Sequence, residues 1–358
     1  MARGGLLVLA LMILADCIAQ CRTPLIVPDG GVQMGVRLNG AYDFAKEIAA
    51  CPIRYVLADD LTRLCTALAY SRGAKTLDCT DLLHVPGSSV WVEWLTQASC
   101  AELEAYGFRH QGSTPVSRRR GALVRASVDG RRGVIRTFWS GPQEPDALAS
   151  SVEAYFDLDT PVDEAPNHTD GDTRPAFTLF DSSREGGDDM LRRCFRFRYE
   201  KSWADYYDRA RLTPRERHAI LRHVLGTIAL DVPILLTFFL LLATRSELPR
   251  RPERYDRLNR ARSAAGKAVL LDHVEVRAPW VPGFPTAAIA GAGGGRRHPR
   301  LHHVRGHLVR RGSQLFWRLP HLRGSARSGL IRSRTVTWTF EQGQTLRSEP
   351  RSYEGPRH

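Results

Sequence analysis

One stretch of the chain cannot neutralise its own charge. Between residues 277 and 340 there are twelve arginines and five histidines, but no lysine, aspartate or glutamate. The whole 358-residue chain has a formal net charge of +13, so this stretch supplies nearly all of it and the rest is close to balanced. Arginines at this density repel one another unless a polyanion or an acidic protein surface intervenes. We therefore predict a basic, partner-binding module at residues 296–342.

The remainder of the chain has the composition of a folded protein. Hydrophobic residues make up 43% of the whole chain and charged residues 25%, and its length of 358 residues fits one large or two ordinary domains. Helical and strand patterns alternate, which predicts an α+β fold with a mixed main domain at residues 22–290 and a small basic antiparallel β module after it. The glycine-rich residues 291–295 are the predicted joint between these two parts, and residues 343–358 form a polar tail.

Three local patterns in the main domain are clear. Apolar residues recur at helical spacing from Leu57 to Leu68, which predicts a helix that ends near Gly73. Residues 90–94 alternate as in a strand. Asp129-Gly130 separates two strand-like runs and favours a hairpin with a type I′ turn, because both central residues of that turn need positive φ.

The first 21 residues allow more than one interpretation. Arg3 precedes an apolar run, and Cys17-Ile18-Ala19 has the small-x-small pattern of a signal-peptide cleavage site. Asp16 and the single basic residue are poor features for export, so a misassigned start and a buried first helix are the alternatives. We expect a cytoplasmic protein, and an exported one if residues 1–19 are a true signal peptide.

A second apolar run, residues 232–243, is too short to span a bilayer, because a membrane helix needs about 20 apolar residues. Extending it back to Leu225 includes Asp231 and Pro233. We predict a buried helix near residues 225–243, kinked or split at Pro233, and no membrane span. The seven cysteines contain no CxxC pair, so we interpret them as reduced core residues and predict no metal and no cofactor.

Within the basic module, strand-like runs at 315–317 and 336–340 predict a small sheet that gives the arginines a rigid base. Arginine suits phosphate because its planar guanidinium group bonds two oxygens at once and stacks on bases. Phe316 and Trp317 either stack on bases or form the core of the sheet. The candidate phosphate-binding residues are Arg305, Arg310, Arg311, Arg318 and Arg323.

Histidines in the module raise the alternative of a nuclease. His303, His307 or His321 could exchange protons in phosphodiester cleavage, with arginine stabilising the developing charge. No Cys or acidic residue stands nearby to complete a metal site, and the chain has no GxxxxGK[ST], GxSxG or HExxH motif. A structural role for these histidines, which tie turns to backbone carbonyls, and a non-enzymatic protein are therefore favoured.

Two blocks carry a resemblance to a known group of proteins. Residues 257–273 and residues 301–324 resemble the carboxy-terminal signature of uncharacterised phage and prophage proteins. The same order of parts resembles, more distantly, an anti-CRISPR family that acts against the type V-A effector nuclease. The matching positions are His303, Arg305, Gly306 and His307, followed by Phe316, Trp317 and Arg318. Leu308 departs from that family, which has an aromatic residue after the histidine.

The resemblance implies a protein that lowers production of the nuclease at the level of its message during translation. Together with the basic module, it predicts a phage- or prophage-derived protein that binds RNA or a ribonucleoprotein. The alternatives are the histidine-dependent nuclease and a basic module that docks on an acidic protein.

Overall fold

The chain forms two compact units. The first comprises Met1–Trp280 with Leu308–Trp317, and the second comprises Val281–His307 with Arg318–His358. The predicted basic module at residues 296–342 is therefore divided between them. The computed structural model describes residues 13–20, 41–70, 81–105, 118–140, 147–159, 176–177, 194–200, 213–244, 248–279, 300–304, 307–312, 314–318, 321–323 and 325–330.

Helices and strands alternate in the first half of the chain, and strands dominate its end. The described helices are α1 (Leu14–Gln20), α2 (Ala41–Ala50), α3 (Asp59–Tyr70), α4 (Thr96–Ala105), α5 (Pro214–Ala243) and α6 (Asp256–Ala264). The first seven described strands are β1 (Ile53–Leu57), β2 (Ser89–Leu95), β3 (Arg119–Ala126), β4 (Arg132–Ser140), β5 (Ala147–Asp157), β6 (Ala176–Phe177) and β7 (Phe195–Tyr199). The others are β8 (Arg250–Glu253), β9 (His273–Val276), β10 (Arg300–Val304), β11 (His307–Arg311), β12 (Gln314–Arg318), β13 (His321–Arg323) and β14 (Ser325–Leu330).

Nine strands form one mixed sheet in the order β6-β7-β5-β4-β3-β2-β1-β9-β8. β1 runs parallel to both β2 and β9, and the other neighbouring strands are antiparallel. Parallel strands need a crossover connection, which α3 provides between β1 and β2. β3, β4 and β5 then follow one another as an antiparallel meander. The chain thus has the α+β fold that its sequence predicts.

Both faces of this sheet are covered at its centre. The middle five residues of β2 are all buried, although successive side chains of a strand point to opposite faces. On one face the ring centroids of Trp91 and Phe138 lie 5.5 Å apart. On the other face the ring of Tyr55 in β1 meets that of Phe238 in α5 at 5.4 Å. The helices therefore bury two apolar surfaces against one sheet.

α1 is part of the core. Leu14, Ala15 and Ile18 are buried. The carboxylate of Glu93, also fully buried, accepts hydrogen bonds from the backbone N–H groups of Leu14 and Ala15, each at 3.1 Å. These contacts satisfy donors that the first turn of a helix leaves unpaired. They agree with the alternative that the first residues form a buried helix.

α5 is one continuous helix that begins at Pro214 and passes through Pro233. Residues 231–241 are all buried, as predicted for the apolar run. Pro233 does not split the helix, because packing on every side holds this segment in place. Among the described residues, no helix has both the length and the apolar composition that crossing a bilayer requires.

Other local predictions are confirmed, with one change at the hairpin. The helix predicted from Leu57 to Leu68 is α3, and the strand at 90–94 lies within β2. The hairpin at Asp129-Gly130 joins β3 to β4, but through five residues instead of a two-residue type I′ turn. Gly130 has a φ of +71° and donates its N–H to the Ser127 carbonyl at 2.8 Å. Its carbonyl accepts the Val85 N–H at 2.9 Å, so this turn also ties down a neighbouring loop.

The second unit contains a sheet of three strands in the order β13-β10-β14. β13 is antiparallel to β10, whereas β14 is parallel to it. The predicted strand at 336–340, the joint at 291–295 and the polar tail at 343–358 lie outside the described residues.

Candidate nucleic-acid interface

The arginines predicted to bind phosphate are partly gathered on one hairpin, β11–β12. Its two strands pair as a separate sheet and are joined at Gly312, which has a φ of +60°. Leu315 and Trp317 alternate along β12 and are buried in the hydrophobic core of the first unit. These two side chains anchor the hairpin.

The opposite side of the hairpin is open to solvent. Arg310 and Arg311 at the end of β11 are exposed, and so is Arg318 at the end of β12. The alternation of buried and exposed residues along β12 follows from the two-residue period of a strand. The hairpin thus presents three of the candidate arginines on an anchored base.

Arg310 has a carboxylate partner that lies far away in the sequence. Its guanidinium nitrogens lie 3.0 and 2.6 Å from the two oxygens of Asp81, and its Nε donates to the Gly312 carbonyl at 2.9 Å. The two side chains are 46% and 51% exposed. Exposed ion pairs contribute about 0–1 kcal/mol to stability, and the two-point geometry here favours the upper end of that range, so a phosphate has to displace Asp81 to bind this arginine.

Arg311 lies near the ring of Phe316, with Cζ 6.0 Å from the ring centroid. Phe316 is half-buried and Arg311 is exposed. This contact is at the outer limit of a cation–π interaction, and it leaves the guanidinium group accessible to solvent. A base could therefore stack on the guanidinium plane, in addition to a phosphate contact.

Trp317 is 7% exposed and packs in the core. A base cannot stack on this indole unless the hairpin leaves the core. Trp317 therefore packs in the core of the first unit, and it is not among the proposed RNA contacts.

For the remaining candidate residues, the structure gives strand positions at most. Arg305 and Gly306 lie outside the described residues. In the register of β10 and β13, Arg323 is opposite His302, His321 is opposite Val304, and His303 is opposite Leu322. His307 begins β11. The register places His303 and His321 on neighbouring rungs of one ladder, and His307 on a different strand.

The metal-ligating and thiol groups of the described residues add no chemistry to this site. It contains no group of three or more His, Cys, Asp or Glu side chains that could hold a metal ion. Cys51 and Cys65 are buried free thiols, and burial raises the pKa of the Cys65 thiol far above its usual range. A thiol with a raised pKa is a poor nucleophile and metal ligand at neutral pH.

Comparison with known proteins finds no matching family model, no matching curated protein and no matching solved structure. The geometry of the β11–β12 hairpin includes one contact that the sequence did not predict, the pairing of Arg310 with Asp81. The two residues are 229 positions apart, and no local pattern connects them.

Proposed function

We propose that this protein binds RNA, alone or in a ribonucleoprotein, through the exposed arginines of the β11–β12 hairpin. The observation that carries the proposal is the two-sided hairpin, in which Leu315 and Trp317 are buried in the core while Arg310, Arg311 and Arg318 are exposed. Anchored arginines lose less conformational entropy when they bind phosphates than arginines on a flexible tail. Arg305 and Arg323 are proposed as further phosphate contacts on the basis of the sequence alone.

RNA is favoured over DNA because of Phe316 and Arg311. Recognition of single-stranded RNA commonly combines phosphate contacts with bases that stack on aromatic rings or guanidinium planes. Phe316 and Arg311 supply both types of surface next to the phosphate-binding Arg310. The resemblance of residues 301–324 to phage proteins and to the anti-CRISPR family supports the same proposal, since that family's implied action concerns a message under translation.

The proposal is tested by crosslinking the tagged protein in its native host and sequencing the recovered RNA. The test variant carries Arg305→Ala, Arg310→Ala and Arg311→Ala. We expect a defined message or ribosomal RNA to be enriched with the natural chain and lost with the variant. Enrichment no greater than in an untagged control would contradict RNA binding and move the proposal to an acidic protein partner.

A second variant, Asp81→Asn, separates binding from folding. This change removes the carboxylate that competes for Arg310 and leaves the arginine in place. We expect it to tighten RNA binding in a purified system, whereas Arg310→Ala should weaken it. If Asp81→Asn weakens binding as much as Arg310→Ala, the ion pair positions the hairpin and Arg310 does not contact RNA.

A further inference from the structure

α6 and the residues that flank it present a second basic surface, which belongs to the first unit. Arg254, Arg257, Arg260 and Lys267 are exposed. None of these four side chains forms an ion pair or a hydrogen bond within the described part of the chain. These four residues are termed the α6 basic surface below.

Two carboxylates beside this surface, those of Glu253 and Glu275, are already paired with other arginines. Arg251 lies 2.5 Å from Glu253 and 2.9 Å from Glu275, and Arg277 lies 2.9 Å from Glu275. Between residues 254 and 269 there are four arginines and one lysine against a single aspartate, a balance of +4. The α6 basic surface therefore keeps its positive potential, which draws in polyanions and falls with added salt.

The helix under this surface is held firmly. The Asn259 side chain donates to the Leu270 carbonyl and accepts the Leu270 N–H, both at 2.8 Å. Buried Arg262 donates from Nε to the Ala268 carbonyl at 2.6 Å. Asp16 of the core helix α1 accepts the Leu271 N–H at 2.6 Å. Arg257 and Arg260 therefore lie on a helix that is bonded to the following loop, and that loop is bonded to the core helix α1; Arg254 and Lys267 flank the helix.

The chemistry of this surface fits a phosphate backbone better than a protein. A stable protein interface usually buries an apolar centre, but the only exposed large hydrophobic residues in the described part of the chain are Val128 and Val269. Contacts to nucleic-acid backbones are polar, charged and hydrated. Arg257 and Arg260 are three positions apart, which places them on neighbouring parts of one helix face about 4.5 Å apart along the axis.

We infer that the α6 basic surface binds the phosphate backbone of RNA without regard to base sequence. This inference shares the ligand class of the proposed function, but it rests on different residues from the hairpin. Backbone contacts of this kind set the position and affinity of a nucleic acid, whereas base contacts set its specificity. The full chain therefore has a general phosphate contact in addition to the hairpin arginines.

The test measures the affinity of the full-length protein for a fluorescently labelled single-stranded RNA over a range of salt concentrations. One variant carries Arg257→Gln and Arg260→Gln, a second carries Arg310→Gln and Arg311→Gln, and a third combines all four changes. Each phosphate contact to a single strand adds about 0.7 to the slope of log affinity against log salt, so loss of two contacts should lower the slope by about 1.4.

Two controls are matched to the α6 variant. Replacing Arg257 and Arg260 by Lys keeps the charge and should keep the slope. Arg251→Gln removes an exposed arginine whose charge Glu253 and Glu275 already offset, and it should change the slope little. Thermal unfolding of each variant checks the fold, since exposed substitutions typically alter stability by less than about 0.5 kcal/mol.

The outcomes separate this inference from the proposed function. A lower slope in the α6 variant alone supports the inference and contradicts the hairpin proposal. A lower slope in the hairpin variant alone overturns the inference. If each variant lowers the slope and the two decreases add in the combined variant, the result supports both the inference and the hairpin proposal. A salt slope that no variant changes overturns the inference and means that this surface only faces solvent. Binding to polyglutamate but not to RNA, lost in the α6 variant, also overturns the inference and assigns the surface to an acidic protein.

Discussion

Asp16 shows how burial changes the charge state of one residue. Its carboxylate is fully buried and accepts the backbone N–H groups of Leu271 and Ile13. Desolvation is the largest effect and raises the pKa of Asp16 to about 6 from its usual 3.8. The two hydrogen bonds and Arg262 lower this pKa, and the neighbouring Glu93 raises it. The folded protein therefore binds this proton more tightly than the unfolded chain does.

The raised pKa predicts a stability difference that depends on pH. Protonation of Asp16 favours the fold fully below pH 4, and this contribution is lost as pH rises through about 6. In Asp16→Asn the group no longer titrates. We therefore expect the free energy of unfolding of the natural protein, relative to that of the variant, to rise by up to about 3 kcal/mol between about pH 7 and about pH 4. Denaturant unfolding at a series of pH values measures this difference. A difference that stays constant over this range would mean that Asp16 does not titrate there.

Arg120 and Asp231 form a buried ion pair between β3 and α5. One guanidinium nitrogen of Arg120 lies 2.7 and 2.8 Å from the two carboxylate oxygens. Burial raises the pKa of Asp231, and the charge of Arg120 opposes this rise. Arg120 Nε has no hydrogen-bond partner within the part of the chain that the structure describes, and its burial there is not compensated.

Removing one partner of this pair should cost more than removing both. Arg120→Met or Asp231→Leu leaves one charge buried and unpaired, and we expect each to lower the free energy of unfolding by about 3–5 kcal/mol. The double variant replaces both charges by apolar side chains and should recover most of that loss. A double-mutant cycle by urea unfolding measures the coupling. Additive losses in the double variant would show that packing, and not charge, determines the cost.

At the level of elements, the side chain of Glu93 links α1 to the sheet, in addition to the apolar packing of this helix. Glu93 accepts the N–H groups of Leu14 and Ala15 on one side, and it also accepts the Trp91 indole N–H at 2.9 Å and bonds Arg119 at 3.1 Å. Removal of α1 would leave a fully buried carboxylate with half of these donors. Polar capping and apolar packing thus hold the same helix in place.

Two shortened chains test the contribution of α1. A chain that begins at residue 21 lacks Leu14 and Ile18, and each fully buried apolar side chain of this size contributes roughly 1.5–3 kcal/mol. We expect this chain to lose several kcal/mol of stability or to fail to fold. A chain that begins at Met12 keeps every α1 contact described above and should unfold at a higher temperature than the chain that begins at residue 21. Equal stability of the two chains would mean that α1 contributes nothing to the fold.

The elements that sequence predicted well are those with a strong local pattern. α3 and β2 follow from apolar spacing over fewer than two dozen residues, and the β3–β4 hairpin follows from Asp129-Gly130. The position of β9 between β1 and β8 has no local signal, because β1 and β9 are separated by most of the main domain. α6 was missed as an element because its residues are mostly charged or small and show no apolar periodicity.

At the level of the whole molecule, charge composition located one basic region and concealed another. Residues 277–340 are conspicuous because they contain no acidic residue. The α6 basic surface is not conspicuous in the sequence, since Glu253, Asp256 and Glu275 lie close to its arginines along the chain. Only the pairing in the folded chain shows that Glu253 and Glu275 are engaged by Arg251 and Arg277, which leaves the four cations of the α6 basic surface without an ion pair among the described residues. Composition therefore predicts a charged segment, and folding determines which charges remain available.

The β11–β12 hairpin contributes two side chains to the core of the first unit. Leu315 and Trp317 are buried in the same hydrophobic cluster as the central sheet, and Arg310 pairs with Asp81. Loss of a buried tryptophan typically costs about 3–5 kcal/mol. A chain that ends at Trp280 should therefore unfold at a lower denaturant concentration than the full chain.

A chain that ends at Leu319 retains the hairpin and provides the matched comparison. This chain should have a higher denaturant midpoint than the chain ending at Trp280, and Trp317→Ala within it should return the midpoint toward that of the shorter chain. Equal stability of the two shortened chains would mean that the hairpin contributes nothing to the core. In that case Arg310 and Arg311 would have no anchored base, and the entropic argument for RNA binding by the hairpin would fail with it.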